Sequence, residues 1–204
     1  MQELDRALSD IARMREQMAH SSEFWGFGPM TLTLTGALAI GVAATQAWWL
    51  KDPEQHPLAF VIEWFATAAV ALLFIGMEAA ARSKRVHGSM AWPLLQSTVE
   101  KFCPAIAAGA LLTAALLRGS PQNAWMLPGL WQIMFGLGAF ATARMLPRPM
   151  FVVGAWYIAC GLIYIAMGDV RPLSGWSMGV PFCVGQLLVA GILHWHPRDA
   201  SVEE

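Results

Sequence analysis

Apolar residues in this chain fall in long uninterrupted blocks instead of alternating with polar ones. Phe24–Leu50, Trp64–Met77, Phe102–Leu117, Gly119–Ala143, Pro149–Gly168 and Pro172–Leu193 contain no Asp, Glu, Lys or Arg. A helix needs about 20 mostly apolar residues to cross a bilayer. Backbone groups in lipid must be satisfied within their own segment, so blocks of this length predict helices. Six spans are expected, over 29–50, 58–81, 100–117, 124–144, 149–167 and 176–195. Pro29, Pro57, Pro104, Pro128, Pro149 and Pro181 each lie just before a span or within about its first turn and a half, where a missing N–H costs little. Pro128 and Pro181 sit deepest and mark candidate distortions. The expected fold is all-α: a polytopic membrane protein with six transmembrane helices plus an N-terminal amphipathic helix.

That N-terminal helix is read from Leu4, Leu8, Ile11, Met14 and Met18, which form one apolar stripe at helical spacing. Arg6 with Asp10, and Glu16 with His20, are four apart and can pair on the polar face. Such a helix either lies along the membrane surface or serves as a docking or dimerisation helix. The chain therefore divides into a cytoplasmic helix (1–27), a six-helix membrane domain (28–197) and a short cytoplasmic tail (198–204). The charged, mixed-sign opening Met1–Ser22 does not read as a cleaved secretory signal.

Charge sets the expected orientation. Ten of the 13 Lys and Arg residues fall at the N-terminus, in 82–101, in 144–148 and in the C-terminal tail. Lys51, Arg118 and Arg171 fall on the other side. The positive-inside rule then places both termini in the cytoplasm of a bacterial inner membrane. Trp25, Trp48, Trp49, Trp125, Trp176 and Trp195 lie near expected interfaces, which amphipathic rings favour.

Composition narrows the picture further. The apolar set makes up 56% and charged residues 13%, about half the usual soluble share, which excludes a soluble globule, a disordered chain and a collagen. The net charge of −1 points to no nucleic acid. Cys103, Cys160 and Cys183 all lie in apolar runs without a CxxC, so neither a disulfide framework nor a zinc site is expected.

Few residues carry candidate chemistry. Glu63 lies about five positions into span 2, near the outer leaflet, and an ionisable group within a span is a functional candidate by default. It either serves a polar cavity or a cation, or reaches the interface and bonds to a neighbouring Thr, Gln or Trp. Glu78 stands one turn before Arg82, a favourable helix pair. Gln132 and Gln186 are large polar groups well inside spans, and span 1 carries a face of Thr31, Thr35, Leu38, Val42, Thr45 and Trp49. These groups are either packing glue or, together with Glu63, a narrow polar path. His20, His87, His194 and His196 fall on the cytoplasmic side as candidate haem or metal ligands, but no HxxxH or Cys/His spacing supports them, and no cofactor is expected. HExxH and phosphate-cradling Gly loops are absent, and catalysis is not expected.

From about Phe102 to His196 the chain resembles an uncharacterised family of small polytopic bacterial membrane proteins. Gly109-Ala110-Leu111-Leu112-Thr113 and Leu127-Pro128-Gly129-Leu130-Trp131, with Gly136 after it, carry the resemblance. The entry from Met14-Arg15-Glu16-Gln17-Met18 through Phe24 and Gly28 is similar in placement. Members have a Trp-Gly-Gly turn before span 1, where this chain has Trp25-Gly26-Phe27-Gly28-Pro29. The resemblance implies a six-span inner-membrane protein with a sensing or regulatory role beside winged-helix regulators. Acetate and urea channels share its size and span count, but their Asn-Pro-Ala motif is absent here.

Three readings follow. The first is a sensory or regulatory membrane protein that contacts a cytoplasmic protein partner through residues 1–27 and 82–99. The second is a channel or small transporter for a small uncharged or weakly acidic solute. The third is a haem, metal or quinone binder. The lipid bilayer is the common partner, and the Gly-rich faces suit a homo-oligomer and internal packing equally.

Overall fold

The computed structural model describes residues 28–87, 91–142, 148–168 and 173–195. The expected helix at 1–27 and the tail lie outside the described residues. Regular structure among the described residues is helical throughout: α1 (Pro29–Trp49), α2 (Pro57–His87), α3 (Ala91–Gly119), α4 (Leu127–Thr142), α5 (Phe151–Ala166) and α6 (Gly175–Trp195). Short 3-10 turns at Pro121–Met126 and Arg148–Met150 lead into α4 and α5. Five stretches are long and apolar enough to cross a membrane; α5, with 16 residues, is the shorter apolar helix.

Three boundaries differ from expectation. The connection 82–99 is not an open loop, because α2 runs on to His87 and α3 begins at Ala91. No proline or helix-ending glycine interrupts 82–87, so helical bonding continues past the apolar stretch. Pro104 consequently lies well inside α3 instead of in its first turns. The span expected to open at 124 begins with 3-10 geometry and becomes α-helical at Leu127, with Pro128 in the first turn.

The helices form a ring in chain order, α1 to α6, closed by α1 against α6, with α4 also reaching α6. Its most extensive contacts are α1–α6 and α4–α5. Both are seams of small residues that let backbones approach. A Cβ built at Gly179 would stand 2.9 Å from Ala39 O, and one at Gly129 would stand 2.8 Å from Gly161 O. Phe135 of α4 fills the centre: its ring meets Phe102 of α3, Tyr157 of α5 and Phe182 of α6 at centroid distances of 5.2, 4.6 and 5.4 Å. Outward faces carry exposed apolar side chains such as Leu58, Ile62, Leu72, Leu73, Leu111 and Leu162, as a lipid-facing surface requires. Trp48, Trp49, Trp176 and Trp195 are exposed at helix ends, where the sequence places interfacial rings.

Candidate functional site

The end of α1 and the start of α2 run antiparallel across the loop Leu50–His56. Backbone bonds close this loop, with Leu50 N donating to Gln46 O at 2.8 Å and His56 N to Pro53 O at 3.2 Å. Two helical turns beside it hold a polar cluster. The Gln46 amide nitrogen donates to Glu63 Oε2. Trp49 Nε1 donates to Glu63 Oε1 at 3.3 Å, and Trp64 Nε1 donates to Gln46 Oε1 at 3.1 Å. Gln46 and Trp64 are both buried, so each indole or amide proton removed from water regains an acceptor. Both donors to the Glu63 carboxyl group are neutral side chains.

A cleft of about 340 Å³ opens above this cluster, between the α1–α2 loop and the first turn of α6. Its wall includes Gln46, Leu50, Asp52, Gln55, Leu173 and Ser174. The volume is at the small end of the range for ligand sites. Gly175 makes the approach possible: a Cβ there would lie 2.6 Å from Gln46 Oε1. Ser174 starts α6 by capping, its Oγ accepting from Trp176 N at 3.3 Å and its carbonyl accepting from Ser177 Oγ at 2.5 Å.

Of the residues singled out from sequence, Glu63 lies in this cluster, bonded to a Gln and a Trp as one of its two readings held. The others do not gather around it. Gln132 is fully buried between α4 and α6 and donates through Nε2 to Ser177 O at 2.7 Å. That carbonyl is the one left without its usual donor by Pro181 four residues on. Gln132 Oε1 is buried with no donor among the described residues. Gln186 lies on the α1–α6 seam, with its Cβ facing Gly36.

The threonine face of α1 is not the face turned inward. Leu32, Thr35, Gly36, Ala39, Ala43 and Gln46 are buried, whereas Thr45 is exposed and Thr31 half-buried. Thr35 Oγ1 donates to Leu32 O at 2.9 Å, and Thr45 Oγ1 to Gly41 O at 3.0 Å. Hydroxyls satisfied by their own helix need no partner, and the smaller Gly and Ala face admits α6 more closely. Thr35 and Thr45 thus bond within their own helix, and Glu63 bonds to Gln46 and Trp49.

Glu78 packs against the start of α1, where a Cβ on Gly28 would overlap its carboxylate. This places an anion at the positive end of the α1 dipole. Its expected pairing with Arg82 lies outside the described side chains. His194 is exposed at the end of α6, and His87 ends α2. His20 and His196 lie outside the described residues. Among the described residues no group of three or more His, Cys, Asp or Glu side chains is placed to hold a metal ion.

Sequence reasoning passed over Gln46, Trp64, Ser177 and Trp156. Gln46 carried a legible signal, since it is a large polar residue in a charge-free span three positions before Trp49. Ser177 stands at the centre of a G-x-S-x-G match, Gly175-Trp176-Ser177-Met178-Gly179, but its hydroxyl donates to Ser174 O and its backbone carbonyl makes the contact to Gln132. Comparison of the chain with family models, with curated proteins and with solved structures finds no match in any of the three.

Proposed function

We propose that this chain is a six-span integral protein of the bacterial inner membrane, with both termini cytoplasmic, that acts without catalysis as a sensory or regulatory protein. The observation that carries the reading is the cleft over the Gln46–Glu63 pair, at the end of α2 opposite the one that carries Arg82, Lys84 and Arg85. The cleft suits a small polar solute arriving from outside. α5 counts as the sixth span because it lies along α4 in the closed ring, and the turn Arg148–Met150 lengthens it.

Two features favour a sensor over a channel. Aromatic rings of α4, α5 and α6 pack against one another between those helices. The intramembrane amides and hydroxyls bond locally and do not line up. The cytoplasmic extensions of α2 and α3, within 82–99, and the N-terminal residues 1–27 supply the surface for a protein partner.

Topology reporters fused at Gln55 and after Trp195 test the arrangement: the first should report the outside and the second the cytoplasm. Photocrosslinkers placed through 1–27 and 82–99 in cells should capture one discrete protein. No capture, together with solute flux in reconstituted liposomes, would replace this reading with the channel.

A further inference from the structure

We infer that the opening of α6, Gly175–Val180, is a gate on the cleft that pivots at Pro181 and is latched by Gln132. The inference rests on reading the cleft as the input site. Pro181 lies inside α6 and has no N–H, so the backbone bond to Ser177 O is missing. Helices bend at such positions.

Side chains from two other helices serve the two carbonyls at this break. Gln132 of α4 donates to Ser177 O at 2.7 Å, above the break. Trp156 of α5 donates to Pro181 O at 3.0 Å, at the break itself. One bond therefore fixes the pivot and the other ties the segment above it.

That segment is part of the cleft wall. Gly175 touches the cleft, and Ser174 and Leu173 precede it on the same wall. The segment faces α1 through Gly175 and Gly179, which meet Ala43 and Ala39. Glycine and alanine bury little apolar area, so the main cost of moving the segment is unpacking Met178, which is buried in one cluster with Leu50, Phe60, Trp64 and Leu173. Gln132 Oε1 is buried with no donor among the described residues, so only the Nε2 bond to Ser177 O is seen to hold this amide. A solute entering the cleft presses on the stretch of α6 that the Gln132 bond ties down, and the lower part of α6 leads to the opposite end of the ring at Trp195.

Hydrogen exchange on the full-length protein in mild detergent tests the gate. Gln132→Leu should speed exchange of the Gly179 and Val180 amides by about tenfold, the value of one hydrogen bond. Pro181→Ala should slow it, because the restored N–H reaches Ser177 O. In the double variant, Gln132→Leu should have little further effect. A Leu50→Cys reporter on the cleft wall, with the three native cysteines replaced by Ala, should follow the same order in maleimide labelling. Equal acceleration by Gln132→Leu with and without Pro181 overturns the latch. Exchange that changes without any change in Leu50→Cys labelling overturns the gate. Should Gln132→Leu fail to fold, Pro181→Ala alone must slow both readouts, and no slowing overturns the proposal. These measurements need no partner, so failure of the crosslinking experiment leaves their outcome readable.

Discussion

The indole N–H of Trp131 donates to Thr113 Oγ1 across 2.8 Å, and the same hydroxyl donates onward to Gly109 O at 2.7 Å. Gly109 to Thr113 and Leu127 to Trp131 are the two stretches whose resemblance stood out in the sequence. One hydroxyl, accepting and donating at once, joins α3 to α4 through them. Phe60 of α2 stacks on the same indole, with ring centroids 6.2 Å apart, so the bond also orients an aromatic contact to a third helix.

Thr113→Val keeps the shape and removes both roles of the hydroxyl. It should lower stability by about 1 kcal/mol, in line with interhelical hydrogen bonds in membranes. Trp131→Phe should cost less in the Thr113→Val background than in wild type, because the bond is already gone. Thermal unfolding in one detergent, followed by near-UV circular dichroism, measures all four states of this cycle.

At the cluster below the cleft, Gln46→Leu should destabilise more than Glu63→Gln. The leucine leaves the Trp64 N–H and one carboxylate oxygen without their partner, an expected loss of about 2 kcal/mol. Glu63→Gln keeps an acceptor oxygen for one of its two donors, so the fold should tolerate it, while any response to a solute in the cleft should fall. Equal stability of the two variants in chemical unfolding would show that the cluster does not hold the loop end together.

The seams predict a contrast among glycines. Gly161→Val brings a side chain against Gly129 O, which a Cβ would approach to 2.5 Å, and should separate α4 from α5 at a cost of about 3 kcal/mol. A Cβ at Gly41 or Gly76 meets no atom within 4 Å, so Gly41→Val and Gly76→Val should change stability by less than about 1 kcal/mol. Size-exclusion profiles and unfolding midpoints for the three variants decide between a packed seam and an idle small-residue stripe.

Gly28→Ala is sterically opposed by the Glu78 carboxylate and not by its own backbone, which has an extended conformation with φ −91. It should therefore cost about 1 kcal/mol, of the order of a helix-terminus charge interaction. In a Glu78→Ala background that penalty should disappear from the unfolding midpoint. A penalty that stays the same size once the carboxylate is gone would show that Gly28 is required for another reason.

The six helices of the described residues and their approximate extents were legible in the chain because hydropathy acts on each segment separately. A charge-free run of about 20 residues has to form its own backbone hydrogen bonds wherever its neighbours lie. Extensions beyond the lipid escaped that argument: α2 reaches His87 and α3 starts at Ala91 through continuous helical bonding, not through hydropathy. Glu63 could be picked out because an ionisable group in lipid is costly in any arrangement. Its partners could not, because Gln46 and Trp49 come beside it only when α1 and α2 fold back across their loop. The inward face of α1 was likewise a tertiary decision. Polarity made Thr31, Thr35 and Thr45 the visible stripe, but close packing against α6 selects the smallest residues, Gly36, Ala39 and Ala43. Pro181 announced a missing N–H in the sequence alone. That Gln132, 45 positions before Ser177, supplies the replacement donor was settled by the ring, because only helix packing brings a side chain of α4 to a carbonyl of α6.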